Sequence, residues 1–338
     1  EDGPKGMAEW LKYRIELLAR HLKLGRGSVP HPVTISRVLG QAVDVEQFES
    51  LVGAYFRSLP GAGQSILVTL DGKTIRSTIP YGETRGKHLL AVYLPQEGLV
   101  LMQIEVDLKE NEIVVAPRAL QMVDLKGKIV VGDALHTQRA ISAQIVQAGG
   151  HYCWTVKDNQ PDLKAAIEQF FEPEVEMPGL GKAIMDMQVI SIPNQGHGRF
   201  ERRTLAACGV RTGELDWPYA QQIFKLHRRC VQRNSGKVTE ETVFGITSLT
   251  AEQADARRLL SVNRGYWGIE NGLHYRRDVT LKEDRTRVKI GQSPRVMAIL
   301  NNLVVGLIAR NGDRFVPEAR RRFSAQPECA LRLIIHAI

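Results

Sequence analysis

The sequence has few cysteines and no long hydrophobic run, and each scarcity excludes a class of protein. Its four cysteines, Cys153, Cys208, Cys230 and Cys329, show no C-x-x-C spacing, which argues against a zinc site or a disulfide framework. Scattered thiols of this kind indicate a reducing cytoplasm. The longest apolar stretches, such as 303–308, are far too short to span a bilayer, so no membrane partner is expected.

Repeats, low-complexity segments and a signal peptide are also missing from the sequence. With 338 residues, 43% apolar and 24% charged, the chain is typical of a soluble globular protein with one large domain or two. The net charge of +8 suits a polyanionic partner, although a plain solubility charge is the alternative. Basic residues concentrate near the C-terminus at Arg310, Arg314, Arg320, Arg321, Arg322 and Arg332. Because Lys and Arg neutralise phosphates, the charge modestly favours nucleic acid.

Helical periodicity predicts a small helical N-terminal region over residues 1–60, with helices at 8–24, 34–40 and 44–57. Its small size fits a DNA-binding or dimerisation module. A helix-turn-helix around 34–39 is the sharper alternative, but no recognition helix is evident there.

The hydrophobic pattern changes to that of an α/β domain after this region. The predicted strands are 66–70, 87–94, 99–106, 128–131 and 151–156, and the predicted helices are 112–122 and 137–148. This order is that of an RNase H-like fold, a mixed five-stranded sheet flanked by helices. The first and fourth strands of that fold lie side by side, so Asp71 and Asp133, which close them, should be close together.

A β-rich insertion is predicted before the helix that contains Glu270. The segment between Asp133 and Glu270 is too long for a plain connection. Its strand-like runs are 184–191, 199–208, 221–232 and 242–249, which places the insertion at about 175–250. A helix of about 25 residues should follow Glu252. The boundaries that result are a catalytic domain at 61–310, ending in a helix at 294–310, and a basic tail at 311–338.

Three carboxylates carry most of the functional information. A carboxylate at a strand end is held rigidly yet reaches solvent, as an oxygen ligand for a hard cation must. Asp71 and Asp133 have this position, and Glu270 lies within a helical pattern. Three gathered carboxylates suit two-metal chemistry on phosphodiesters. Taken alone, Asp71 could be part of a hairpin turn and Asp133 a helix cap.

The third ligand has alternatives. Asp278 and Asp284 follow Glu270 closely, and Asp278 lies about 80° round the helix from it, which makes it second choice. On a regular helix, Tyr266, His274 and Arg277 share a face with Glu270. Trp154 and Trp267 could stack on a flipped base, but core packing is the favoured interpretation for each.

Five motifs give the chain a family resemblance. They are LDGKTIRS (70–77), GDALHTQ (132–138), TVKDNQP (155–161), HGRFERR (197–203) and RGYWGIENGLHY (264–275). In this order they resemble the DDE transposases of the ISAs-type, H-repeat-associated insertion-sequence group. The resemblance covers roughly residues 5–310. Family members carry a further apolar helical segment, so the chain is expected to be trimmed before Glu1.

The resemblance implies a Mg²⁺-dependent DNA endonuclease and strand transferase. Asp71, Asp133 and Glu270 would be catalytic and would hold two Mg²⁺ ions, for which Mn²⁺ can substitute. The expected DNA contacts are Lys73, Arg76, Lys157, Asn159, Gln160, His197, Arg199, Arg202, Arg264, Tyr266, His274 and Arg277. Solvated surface charge is the competing interpretation for several of them.

The expected partners are the terminal inverted repeats of a transposon and its double-stranded target DNA, bound by a homodimer. The expected location is the bacterial cytoplasm, in association with the nucleoid. One alternative is a domesticated or inactive relative that binds DNA without cutting it. Another is a glycosidase with paired carboxylates, but the basic balance and 6% aromatic content argue against it.

Overall fold

The computed structural model describes residues 3–22, 27–107, 109–172, 187–196, 198–211 and 213–335. In these ranges the helices are α1 Pro4–Lys12, α2 Ile15–Leu22, α3 Pro32–Arg37, α4 Val45–Ser58, α5 Glu112–Gln121, α6 Arg139–Gln147, α7 Pro161–Phe170, α8 Ala256–Gly265, α9 Trp267–Ile269, α10 Ser293–Arg310, α11 Val316–Ala325 and α12 Pro327–Ile335. None of these helices is long and apolar enough to cross a membrane.

The described strands form one large mixed sheet. They are β1 Leu67–Thr74, β2 His88–Leu94, β3 Leu99–Val106, β4 Ile129–Gly132, β5 His151–Val156, β6 Gln188–Gly196, β7 Arg199–Gly209, β8 Gln222–Gln232 and β9 Val238–Thr247. The strand order is β3-β2-β1-β4-β5-β9-β8-β7-β6. β1 pairs in parallel with β4, and β4 with β5. The predicted neighbourhood of the first and fourth strands is therefore confirmed, as is the RNase H-like fold class.

The chain divides into two compact units. The first, called here the sheet unit, contains Ile66–Asp71 and Glu112–Trp267. The second, called the helix-rich unit, contains Glu1–Ser65, Gly72–Asn111 and Gly268–Ile338.

In the sheet unit, the β-rich insertion extends the predicted sheet. β9 pairs antiparallel with β5, and β8, β7 and β6 follow as an antiparallel meander. Leu67, Ile129, Phe224 and Leu259 are buried in one cluster, which packs α8 against the strands. The Asp255 side chain caps α8 by accepting the Arg258 N–H at 2.8 Å.

In the helix-rich unit, Phe56, Leu99 and Ile299 pack α4, β3 and α10 together. The predicted hairpin of β2 and β3 is confirmed, with Leu94 opposite Leu99. The helix predicted over 8–24 is instead two helices, α1 and α2. The segment predicted as a basic tail contains α11 and α12.

The long helix predicted after Glu252 is not one continuous α-helix. Beyond α9 the chain forms two wider turns, Glu270–His274 and Arg276–Thr280. In the second, the Leu281 N–H donates to the Arg276 carbonyl at 2.9 Å, five residues back. Such i→i+5 turns rotate later side chains away from the positions that a 3.6-residue period predicts.

Candidate functional site

Asp71 lies within β1, not in a turn. The strand continues through Gly72 to Thr74, which rules out the hairpin-turn interpretation of Asp71. Pairing with β4 stops one residue earlier, at Leu70, so Asp71 is the first residue beyond the parallel ladder. Its side chain is 9% exposed, and its Oδ1 accepts a hydrogen bond from the Tyr266 hydroxyl at 3.2 Å.

Asp133 occupies the equivalent place after β4. Leu70 and Gly132 are register partners, so Asp71 and Asp133 are the next residues on adjacent parallel strands. Neighbouring strands are about 4.8 Å apart, which brings the two carboxylates to one sheet edge. Asp133 is exposed, and its Oδ1 accepts the Ala134 N–H as a cap of the following turn. Its predicted helix-capping geometry thus coexists with an accessible carboxylate.

Gly132 is required by the close packing at this edge. A Cβ added there would lie 3.0 Å from His136 Cδ2 and 3.2 Å from the Leu70 carbonyl oxygen. Either distance is tighter than ordinary van der Waals contact. A larger residue would therefore push apart the strand ends that carry Asp71 and Asp133.

The turn after Asp133 (residues 134–137, called here the Asp133 turn) is fastened by buried polar contacts. His136 is fully buried, with Nε2 3.1 Å from Glu112 Oε2. The Thr137 hydroxyl donates to the Thr155 carbonyl at 2.8 Å. Asn159 Nδ2 donates to the Ala134 carbonyl at 2.6 Å.

Two predicted DNA contacts are therefore occupied in holding this turn. Gln160 Nε2 donates to the Thr137 carbonyl at 2.9 Å, three residues beyond the carbonyl that Asn159 contacts. Asn159 is exposed and Gln160 half-buried, and their amides fix the turn because each pairs a half-buried backbone carbonyl that would be costly to leave unpaired. Asn159 and Gln160 are placed as positioning residues for Asp133, while the neighbouring Lys157 is exposed.

In the helix-rich unit, Glu270 begins the first wide turn and is accessible. His274 Nδ1 lies 3.7 Å from Glu270 Oε2, with the His274 side chain 7% exposed and Glu270 47% exposed. Hydrogen bonding to His274 lowers the pKa of Glu270, and the charges of His274 and Lys73 lower it further, while burial opposes them. The Glu270 carboxylate is thus anionic at neutral pH, as an oxygen ligand must be.

The alternative third ligands are engaged elsewhere in the same unit. Lys73 Nζ lies 2.6 Å from Asp278 Oδ1 and 3.5 Å from Asp284 Oδ1. The Arg76 N–H also donates to Asp284 Oδ1 at 3.1 Å, although its guanidinium is 80% exposed. Lys73 is only 8% exposed, so its charge serves Asp278 and Asp284, and a direct DNA contact by Lys73 is not available in this conformation.

Arg277 does not face DNA as predicted. Its side chain is fully buried, with Nη2 2.7 Å from Glu283 Oε2 and Nη1 donating to Gln103 at 2.9 Å and to Asn302 at 3.3 Å. The prediction assumed a regular helix, and the wide turns from Glu270 change the phase. The Arg277 guanidinium therefore stabilises the interior of the helix-rich unit.

The remaining predicted contacts differ in accessibility. Arg199, Arg202 and Arg264 are exposed, and Tyr266 is half-buried beside Asp71. His197 lies outside the described residues. Of the two tryptophans, Trp154 is buried as interpreted, but Trp267 is 53% exposed, so core packing is wrong for it.

Sequence reasoning missed two arginines beside Asp133. Arg203 and Arg228 line a pocket in the sheet unit together with Asp133, Lys157 and Arg264. Arg203 falls within the quoted 197–203 motif, and its spacing of two from the buried Glu201 places both on one strand face. This spacing could have identified Arg203 from the sequence. Arg228 lies on the neighbouring strand, and a local sequence pattern does not show which residues of two strands lie opposite each other.

Comparison with known proteins extends these observations. A family model described as "Transposase DDE domain" matches residues 63–307, a range that includes Asp71, Asp133 and Glu270. Two proteins of Escherichia coli (strain K12), both named "H repeat-associated putative transposase", are similar. YhhI is 28% identical over 305 residues, covering 87% of this chain and 77% of that protein. YbfD is 30% identical over 192 residues, covering 56% and 73%.

A solved structure is also similar in part. It is the cryo-EM structure of the piggyBac transposase synaptic complex with hairpin DNA. The match covers 90% of this chain and 71% of that chain, at 9% identity and a TM-score of 0.41.

Proposed function

The chain belongs to the transposase DDE domain family, and from this premise we propose that it cuts DNA at the ends of a mobile element and joins the freed strands to target DNA. The observation that carries the proposal is the register of β1 and β4. Asp71 and Asp133 each follow a residue of the last register pair, Leu70 and Gly132, and this supports the proposal that the two carboxylates act on one phosphodiester.

Glu270 is the third carboxylate of the proposal. Its side chain is 47% exposed, whereas Asp278 and Asp284 are paired with Lys73, so Glu270 is the most accessible of the three carboxylates. Tyr266 orients Asp71 through its hydroxyl, and Asn159 and Gln160 hold the Asp133 turn. These contacts would keep the carboxylates in place while the scissile strand binds.

DDE transposases generally use divalent metals, and the donor set here fits them. Asp71, Asp133 and Glu270 offer the oxygen ligands that hard cations prefer. Two Mg²⁺ ions, or Mn²⁺ in their place, would supply a clamp on the attacking and leaving oxygens. The three carboxylates would hold these ions. No covalent intermediate with the protein is needed.

The DNA partners that we propose are the terminal inverted repeats of the element and a double-stranded target. A homodimer would pair the two ends, in the bacterial cytoplasm on nucleoid DNA. Arg76, Lys157, Arg199 and Arg264 have side chains accessible to phosphates. Arg202 is exposed as well, but it is the register partner of Arg229 and lies on the opposite face of β7 from Arg203.

The test is nicking and strand transfer of DNA that carries the ends of the encoding element. We expect Asp71→Asn, Asp133→Asn and Glu270→Gln each to lower the cleavage rate about a thousandfold, since a lost ligand removes several kcal/mol of transition-state stabilisation. Divalent-ion binding, followed by titration calorimetry, should weaken in each variant without any DNA present.

The matched control is Asp158→Asn, which removes an exposed carboxylate paired with Lys164. It should cleave at the native rate. If the native chain binds the element ends without cutting them, the proposal fails, and a DNA-binding relative without nuclease activity is the better description.

A further inference from the structure

A basic pocket beside Asp133 is not explained by the three carboxylates. Its charged lining comprises Lys157, Arg203, Arg228 and Arg264 against Asp133 and Glu241. All of these residues belong to the sheet unit. We call this the arginine pocket. It has more cations than anions, and it shares Asp133 with the proposed catalytic site.

Two of its arginines are held against each other across the sheet. Arg203 on β7 and Arg228 on β8 are direct register partners. Like charges opposite one another destabilise an antiparallel pair unless an anion lies between them. An arrangement of this kind therefore needs an anion close to both guanidinium groups.

One buried carboxylate serves both guanidinium groups. Glu201 is 5% exposed, and its Oε1 accepts from Arg228 Nε at 2.8 Å and pairs with Arg203 Nη2 at 2.5 Å. Glu201 Oε2 lies 3.7 Å from Arg199 Nε. A single negative charge is thus shared among three positive ones. Glu201 fixes the orientation of Arg203 and Arg228 but does not neutralise both.

Of the two anions that line the pocket, Asp133 belongs to the proposed catalytic site, and Glu241 is weakly engaged. Glu241 Oε2 lies 3.7 Å from Arg228 Nη1, and the Glu241 side chain is 57% exposed. Burial lowers the pKa of Arg203, Glu201 opposes this, and the charges of Arg264, Arg228 and Arg199 lower it further. Positive potential therefore accumulates at the pocket, and a further anion would relieve it.

We propose that the arginine pocket binds a backbone phosphate of the DNA strand next to the phosphodiester at Asp133, with Arg203 and Arg228 as donors. The planar guanidinium group gives the forked hydrogen bonds that phosphate oxygens accept. Glu201 acts as a positioning residue for both donors. This inference rests on the proposed function for the identity of the ligand, and it adds a strand-holding site supplied by the insertion.

The experiment measures equilibrium binding of a fluorescent duplex carrying the element end, in Ca²⁺, over a range of salt concentrations. Arg228→Gln should weaken binding about fivefold at 0.15 M salt and reduce the log–log salt slope by about 0.9, the values for one lost phosphate contact. The matched control is Arg229→Gln, which is the next residue, faces the other side of the sheet and pairs with Glu240. It should bind like the native chain.

A second variant tests the pocket by removing a negative charge instead of a positive one. Glu241→Gln removes an exposed anion and leaves the strands intact, so it should tighten DNA binding. This variant keeps the proposal testable if Arg228→Gln does not fold, which a melting curve would reveal. Equal affinity of the native, Arg229→Gln and Glu241→Gln chains would overturn the arginine pocket, as would an Arg228→Gln chain that folds and binds normally.

The outcomes separate this inference from the proposed function. A native chain that cuts DNA while the pocket variants bind normally retains the function and loses the pocket. A native chain that binds but does not cut, with weaker binding by Arg228→Gln, loses the function and retains the pocket. A native chain that binds no DNA overturns both.

Discussion

Arg277 and Asn159 are both predicted from the sequence to touch DNA, yet each engages its side chain with another group of the protein. The buried Arg277 pairs with the buried Glu283, and the exposed Asn159 donates to the Ala134 carbonyl. Residue type alone predicted contact with DNA because charge and amide groups suit phosphate. The partners that the fold brings to each side chain decide otherwise, and a local sequence pattern does not reveal those partners.

Glu49 is a residue whose burial has a measurable consequence for stability. Burial raises the pKa of Glu49 from its ordinary 4.5 to about 7, against the lowering charges of Arg295 and Arg277. The folded chain holds this proton more tightly than the unfolded one. The contribution of Glu49 to the free energy of unfolding is therefore fully present below pH 4.5. It is lost as the pH rises through about 7, a decrease of up to about 3 kcal/mol.

We expect Glu49→Gln to remove this part of the pH dependence. Its free energy of unfolding, from urea titrations at pH 5 and pH 8, should change less with pH than that of the native chain. Glu46→Gln serves as the control because Glu46 is exposed and pairs with Arg295. Identical pH dependence of the native and Glu49→Gln chains would contradict the buried-acid explanation.

At the scale of elements, the Asp133 turn holds the proposed catalytic carboxylate of Asp133 at the end of β4. Asn159→Ala removes one of its bonds, at a cost of about 1.4 kcal/mol, which corresponds to about a tenfold slower cleavage if the cost falls on Asp133 placement. DNA affinity and salt slope should stay unchanged. Cleavage assays and binding isotherms on the same substrate measure both quantities.

Lys157→Gln is the companion variant, two residues away on the same loop. Its exposed ammonium group should contact phosphate, so this variant should bind DNA more weakly with cleavage affected only through binding. If Asn159→Ala instead loses affinity and Lys157→Gln does not, the roles given to the two side chains are reversed.

The first five strands could be predicted from the sequence because each is a short apolar run between clear breaks. Their order along the chain matched an RNase H-like fold, which predicted that the first and fourth strands lie side by side, and that pairing of the strands before Asp71 and Asp133 is confirmed. The pairing of Arg203 with Arg228 could not be predicted, because register across a hairpin depends on where the turn closes. The arginine pocket could not be predicted for the same reason, since it depends on that register.

At the scale of the whole molecule, the chain carries a net charge of +8, and the number of its phosphate contacts sets how DNA affinity responds to salt. The exposed basic residues among the expected contacts, apart from Arg202 on the other face of β7, are Arg76, Lys157, Arg199 and Arg264. If each of these four neutralises one phosphate, log K should fall with log salt at a slope of about −3.6, at 0.9 for each contact. Arg203 and Arg228 would steepen it.

Titration of a labelled duplex from low to high salt measures this slope directly. A scrambled duplex of equal length is the control, and it should give a similar slope at lower affinity, because phosphate contacts carry no sequence information. A slope near zero would contradict a phosphate-dominated interface.

Because of the wide turns that begin at Glu270, the direction in which each side chain of this segment points depends on the number of residues in the segment as well as on their identity. Each i→i+5 turn holds one residue more than an α-helical turn. The first of them, Glu270–His274, lies between Glu270 and the buried Arg277, so its extra residue shifts the direction in which Arg277 points. Deleting a single residue between Glu270 and Arg277 would restore ordinary helical phase and turn the guanidinium outward. Homologues that differ by one residue here would thus exchange an internal ion pair for a surface cation, without any substitution at either position.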